Sequence, residues 1–123
     1  MYESRENYLE TILILQGQNG SVRSIDIAKK LDFSKPSVSR AVNILKNDKY
    51  IDIDEKGYIN LTDKGEEKAK SIYERHRLLT EFFLKTAKVD EKIAEEDACK
   101  IEHIISNETF QGIKNFLIDN IKY

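Results

Sequence analysis

Cys99, Glu102 and His103 stand at i, i+3 and i+4, the spacing that places side chains on one face of an α-helix. A thiol, a carboxylate and an imidazole aimed at one region are three ligand types for a divalent transition metal. A buried thiol beside a surface carboxylate and a partly buried histidine would give the same string with no ion. The other histidine of the chain is His76, and Glu95 precedes Cys99 by about one helical turn. Near the start, Asn7 and Glu10 form a second i, i+3 pair. Taken singly, His76 also reads as a hydrogen-bonded core histidine, and Asn7, Glu10 and Glu95 as solvated helix residues. If the first helix packs on the helix of Cys99, a metal would bridge the two.

A second constellation points to nucleic acid. Val38, Ala41, Val42 and Leu45 fall at i, i+3, i+4 and i+7, the apolar back of a helix. Its front carries Lys35, Ser37, Ser39, Arg40, Asn43 and Lys46, a set of donors, acceptors and cations suited to the base edges of the major groove. An ordinary helical hairpin with a solvated face is the plainer alternative. Residues 21–50 hold seven Lys/Arg against three Asp/Glu, whereas residues 90–123 hold four against eight. A basic segment in an otherwise acidic chain of net charge −2 is the electrostatic footprint of phosphate contacts.

The elements that must position these groups follow from periodicity and capping. Tyr8, Leu9, Ile12, Ile14 and Leu15 predict an amphipathic first helix that ends near Gln18-Asn19-Gly20. Ser24 is placed to cap a short second helix over Ile25–Leu31, and Ser34 to cap the third, with Pro36 in its first turn. Tyr50–Asp54 alternates apolar and polar residues, Glu55-Lys56-Gly57 supplies a turn, and Tyr58–Leu61 resumes, which predicts a β-hairpin. A hairpin directly after a reading helix is the wing of a winged helix-turn-helix, with Lys56 at its tip. The candidate DNA-contacting residues are therefore Arg23, Lys35, Pro36, Ser37, Ser39, Arg40, Asn43, Lys46 and Lys56.

Thr62 starts a long helix with the stripe Ala69, Ile72, Tyr73, His76, Leu79 and Phe83. Asp90 starts another, expected to run to about Ile105, and Ser106 or Asn107 caps a last one bearing Phe110, Ile113, Phe116, Leu117 and Ile121. These uncovered apolar faces predict a symmetric homodimer, which would offer two reading heads to a palindromic double-stranded operator. The expected fold is mainly α: residues 1–62 form the winged helix-turn-helix, three helices plus a hairpin wing. Residues 63–123 form a linker helix with a metal-binding, helical dimerisation domain.

The 123 residues include one cysteine, so no internal disulfide forms. No long apolar run or signal-like start is present, which predicts a cytoplasmic protein without a membrane partner. There is no phosphate-binding glycine loop and no hydrolase nucleophile elbow, so no enzyme is expected.

The strings Glu6-Asn7-Tyr8-Leu9-Glu10-Thr11-Ile12, Ser34-Lys35-Pro36-Ser37-Val38-Ser39, Leu61-Thr62-Asp63-Lys64-Gly65, Arg75-His76-Arg77-Leu78-Leu79 and Asp97-Ala98-Cys99-Lys100-Ile101-Glu102-His103 together resemble the diphtheria-toxin-repressor and manganese-transport-regulator family over nearly the whole chain. The resemblance implies a metal-dependent repressor of transcription concerned with metal homeostasis, with Fe(II) or Mn(II) as co-repressor. It places ligands at Asn7, Glu10, His76, Cys99, Glu102 and His103, with Glu95 at an ancillary position. Asn7 stands where the iron branch resembles a Met ligand and the manganese branch an Asp, and Thr80 replaces an ancillary carboxylate. Cys99 resembles the iron branch and favours iron slightly, whereas the short length, with no SH3-like domain expected, resembles the manganese branch. The other reading is a winged-helix module whose second half serves protein assembly or binds an organic effector, without a working metal site.

Overall fold

The computed structural model describes residues 3–121. Six helices and one hairpin follow in the order α1 (Glu3–Asn19), α2 (Ser24–Leu31), α3 (Lys35–Asn47), β1 (Ile51–Ile53), β2 (Ile59–Leu61), α4 (Asp63–Thr86), α5 (Glu91–Ile101) and α6 (Asn107–Ile121). They divide into two compact units between Lys70 and Ser71, inside α4.

The first unit is a winged helix-turn-helix. Its core joins Leu9, Ile12 and Leu15 of α1 to Ile27 of α2, Val38, Val42 and Leu45 of α3, and Ile51 and Ile59 of the hairpin. The Ser34 hydroxyl accepts the Ser37 N–H at 3.3 Å, capping α3, and Pro36 occupies its first turn. The antiparallel strands pair Ile51 with Leu61 and Ile53 with Ile59. Asp54 builds the wing turn by accepting the N–H groups of Lys56 and Tyr58 at 2.9 and 3.0 Å, and Gly57 takes the positive φ of 84° that the turn requires. Val22 accepts from Ile59 N–H at 2.7 Å, which ties the wing to the chain entering α2.

Two sequence expectations shift. Ser24 is the first residue of α2 and not its cap; the cap is Arg23, whose N–H is taken by the Asp26 carboxylate at 2.9 Å. An acidic residue at the third helical position thus fixes the start one residue early. In the second unit α5 stops at Ile101 instead of reaching Ile105. The N–H groups of Ile104 and Ile105 both turn back to the Ile101 carbonyl at 3.0 Å, so residues 102–105 close as a turn.

The second unit buries Ile72 and Leu79 of α4, Ala94 and Ala98 of α5, and Phe110 and Leu117 of α6. Asp90 caps α5 by accepting Ile93 N–H at 3.1 Å, and Ser106 caps α6 by accepting Thr109 N–H at 3.1 Å. Phe82 and Phe116 meet edge to face with centroids 5.8 Å apart. Tyr73, Leu84, Ile93, Ile104, Phe116 and Ile118 remain exposed.

The start of α4 is pinned within the first unit. The Thr62 hydroxyl donates to the Lys49 carbonyl at 2.7 Å and accepts Gly65 N–H at 3.1 Å. A Cβ at Gly65 would run into the backbone carbonyl of Tyr50, which already accepts Thr62 N–H. Gly65→Ala is expected to destabilise the protein by about 1–3 kcal/mol, the usual range for overpacking against backbone. Gly17→Ala, where an added methyl meets nothing within 4 Å, should be neutral or stabilising by up to about 1 kcal/mol. Urea denaturation of both variants checks the pair, and equal effects would contradict this packing.

Candidate metal centre and nucleic-acid interface

In the first unit α3 presents its polar front as its composition requires. Lys35, Pro36, Ser39, Arg40, Asn43 and Lys46 are exposed and Ser37 is half-buried, while Val38, Val42 and Leu45 are sealed behind them. The hydroxyls of Ser34 and Ser37 are linked at 2.8 Å, and Arg40 Nη2 approaches Ser37 Oγ at 3.4 Å. Arg40 is thus held by a weak neutral contact that a base edge or phosphate can replace. Lys56 is exposed at the wing tip. Arg23 lies with its guanidinium 4.5 Å from the centre of the Tyr58 ring, joining the entry of α2 to the wing by a cation–π contact. Tyr58 was not singled out from sequence; its position after the wing glycine was the available signal.

Within the second unit three of the expected ligands converge. Glu102 caps α5 and is buried, its side chain wholly inaccessible. Its Oε2 lies 2.8 Å from His76 Nδ1 of α4. Its Oε1 lies 3.2 Å from His103 Nε2, whose side chain is 2% exposed. Burial pushes the Glu102 carboxyl up, but the polar contacts of His103 and His76, with the charges of both rings, outweigh it and hold the group below its ordinary value. It is ionised at neutral pH, the form that binds cations.

Glu95 and Cys99 are exposed on α5. The buried row of that helix runs Ala94, Ala98, Glu102, and Cys99 stands about 100° around the axis from Ala98. In the first unit, Glu10 is buried on α1 and Asn7 half-buried one turn before it. Thr80, at the departed ancillary position, donates its hydroxyl to the His76 carbonyl at 2.7 Å.

The donor set suits a divalent metal. Two imidazoles and a carboxylate are ligands for Mn(II), Fe(II) or Zn(II). The Glu102 Oε1, shielded from water, has no aligned hydrogen-bond donor among the described residues; the His103 nitrogen is close but badly directed. A buried carboxylate oxygen in that condition is costly, and a cation would satisfy it.

A family model described as iron dependent repressor, N-terminal DNA binding domain matches residues 1–59, and one described as iron dependent repressor, metal binding and dimerisation domain matches residues 62–120. The chain belongs to the diphtheria-toxin-repressor and manganese-transport-regulator family. An uncharacterized HTH-type transcriptional regulator of Methanocaldococcus jannaschii is 34% identical over 118 residues, covering 95% of this chain and 94% of that protein. The HTH-type transcriptional regulator MntR of Lysinibacillus sphaericus is 37% identical over 103 residues, covering 84% and 73%. Among solved structures, the manganese regulator SloR superposes with a TM-score of 0.82 at 29% identity over 92% of this chain. IdeR of T. acidophilum superposes at 0.81 with 25% identity over 91%. This chain spans about half, 53%, of each of those two solved chains.

Membership of the family makes the chain one of its metal-dependent, dimerising DNA-binding regulators of transcription. The family's members are regulators of transcription and not enzymes. The reading without a metal site is not favoured. No described helix is long and apolar enough to cross a membrane.

The polar front of α3 generates a direct test. Arg40→Ala is expected to weaken binding to the specific DNA site by about 1–3 kcal/mol, the value of one good base contact. Fluorescence anisotropy at one fixed salt concentration measures it; parent affinity would remove Arg40 from the reading set.

Proposed function

We propose that this protein is a cytoplasmic, non-enzymatic homodimeric repressor of metal-homeostasis genes whose operator binding is switched on by Fe(II) or Mn(II). The observation that carries the metal reading is the buried Glu102 carboxylate between His76 and His103. The winged unit, bounded functionally near Thr62, reads a palindromic operator with Ser37, Ser39, Arg40 and Asn43, while Arg23, Lys35, Pro36, Lys46 and Lys56 hold the phosphates.

In this reading His76, Glu102 and His103 are the metal donors of the second unit, and Glu10, with Asn7 beside it, supplies donors from the first. A bound divalent ion supplies the positive centre that all these donors share. Glu102 is already ionised, whereas His76 and His103 would each have to offer an unprotonated ring nitrogen to the ion, so metal binding would release protons. Donors drawn from both units make occupancy favour one orientation of the reading head, which is how metal binding gains a coupling free energy with DNA.

Cys99 decides the proposed metal. A thiolate is a soft donor that favours Fe(II) over Mn(II), and intrinsic affinity also rises from Mn(II) to Fe(II). Cys99 is exposed on α5, and its thiolate would have to reach the ion directly for that preference to act; Glu95 would serve an ancillary site. Iron is therefore proposed ahead of manganese.

The experiment is an anaerobic titration of buffered Fe(II) or Mn(II) against a DNA duplex selected from random sequence by the metal-loaded protein. The parent should gain about 5–150-fold in DNA affinity, at a lower free concentration of Fe(II) than of Mn(II). His103→Ala should lose the response and Cys99→Glu should narrow the gap between the metals. An unchanged response in His103→Ala would show the site misplaced. A parent that answers to Mn(II) at lower concentration would overturn iron alone.

A further inference from the structure

The second unit contains a cation that no metal or DNA contact employs. Arg75 immediately precedes His76 on α4 and is half-buried. Its Nη1 donates to two backbone carbonyls, that of Glu102 at 3.2 Å and that of Ile105 at 3.1 Å. Its guanidinium carbon lies 5.2 Å from the centre of the Phe110 ring, buried at the start of α6.

Those two carbonyls bound the turn that ends α5. A helix end leaves carbonyls without partners inside the helix, and here no glycine in the left-handed conformation follows to satisfy them. Ile101 O already takes the N–H groups of Ile104 and Ile105; Arg75 supplies the donor for the outward-facing carbonyls. The turn also carries the two ligands, since Glu102 and His103 are its first residues. Helix α4 therefore grips it twice: Arg75 holds the backbone of Glu102, and His76, the next residue, holds its side chain. A free carboxylate side chain has several rotamers, and a turn fixed at both ends selects the one that presents Oε1 and Oε2 to the imidazoles.

We propose that Arg75 is a positioning residue that locks the 102–105 turn, so that Glu102 and His103 present their donors beside His76 for a divalent transition-metal ion. This rests on the metal reading of that cluster. Groups that orient metal ligands without touching the ion typically contribute 10–100-fold to metal affinity. Lys is a poor substitute for Arg here, because an ammonium reaches one carbonyl and lacks the planar face that lies on Phe110.

The test is Mn(II) binding to the full chain, read from the electron paramagnetic resonance signal of the free ion, for the parent, Arg75→Met, Arg75→Lys and His76→Ala. Thermal unfolding in chelator accompanies each. Arg75→Met is expected to bind Mn(II) about 10–100-fold more weakly, Arg75→Lys to fall between it and the parent, and the chelated proteins to unfold cooperatively. Parent affinity in Arg75→Met while His76→Ala loses binding would overturn the role of Arg75 and leave the metal site standing. Parent affinity in His76→Ala would overturn the metal reading, and the role of Arg75 with it. Should Arg75→Met fail to fold in chelator, Arg75→Lys decides: weakened binding supports the assignment and parent affinity overturns it.

Discussion

A carboxylate removed from water is tolerated only where opposite charge and directed donors replace its hydration, and the second unit is organised around one such group. Glu102 sits at the end of the buried row Ala94, Ala98, Glu102, where an apolar residue would pack more cheaply. His76 and His103 offset its burial, and Arg75 fixes the backbone that carries it. An arrangement that replaces a cheap core residue with a three-member polar cluster makes physical sense if the cluster has a further partner. The unaligned Oε1 of Glu102 is an atom that a cation would satisfy.

The first unit depends on a different economy. Val38, Val42 and Leu45 tie α3 to α1, α2 and the wing, which leaves Lys35, Ser39, Arg40, Asn43 and Lys46 of its opposite face exposed. Ser34 spends its hydroxyl on the cap and Asp54 its carboxylate on the wing turn, so the reading face is built on a backbone that needs none of the reading side chains. Such division lets the exposed α3 front vary in sequence while the fold persists.

Much of this was legible in sequence because it is local. Ser34, Asp90 and Thr62 cap their helices through contacts three residues away, and the hairpin follows from alternation around Glu55-Lys56-Gly57. Ser24 misled because Asp26 competes for the same helix start. The end of α5 was illegible: no glycine or proline marks it, and Ile104 and Ile105 continue an apolar pattern, although Ile104 projects into solvent at 74% exposure. Arg75, from a distant helix, donates to the carbonyls at both ends of that turn, and local spacing carries no trace of that contact. The i, i+3, i+4 spacing groups Cys99 with Glu102 and His103 but carries no burial, which separates them: Glu102 continues the buried row of Ala94 and Ala98, and Cys99 is exposed.

If the cluster around Glu102 ties metal to DNA reading, the coupling must be reciprocal. The most direct measurement is Mn(II) affinity of the full chain by equilibrium dialysis, with and without a saturating selected DNA duplex at constant salt. The account predicts that the duplex tightens Mn(II) binding by the same factor by which Mn(II) tightens DNA binding. A duplex that leaves Mn(II) affinity unchanged, in a protein that still binds both, would contradict it.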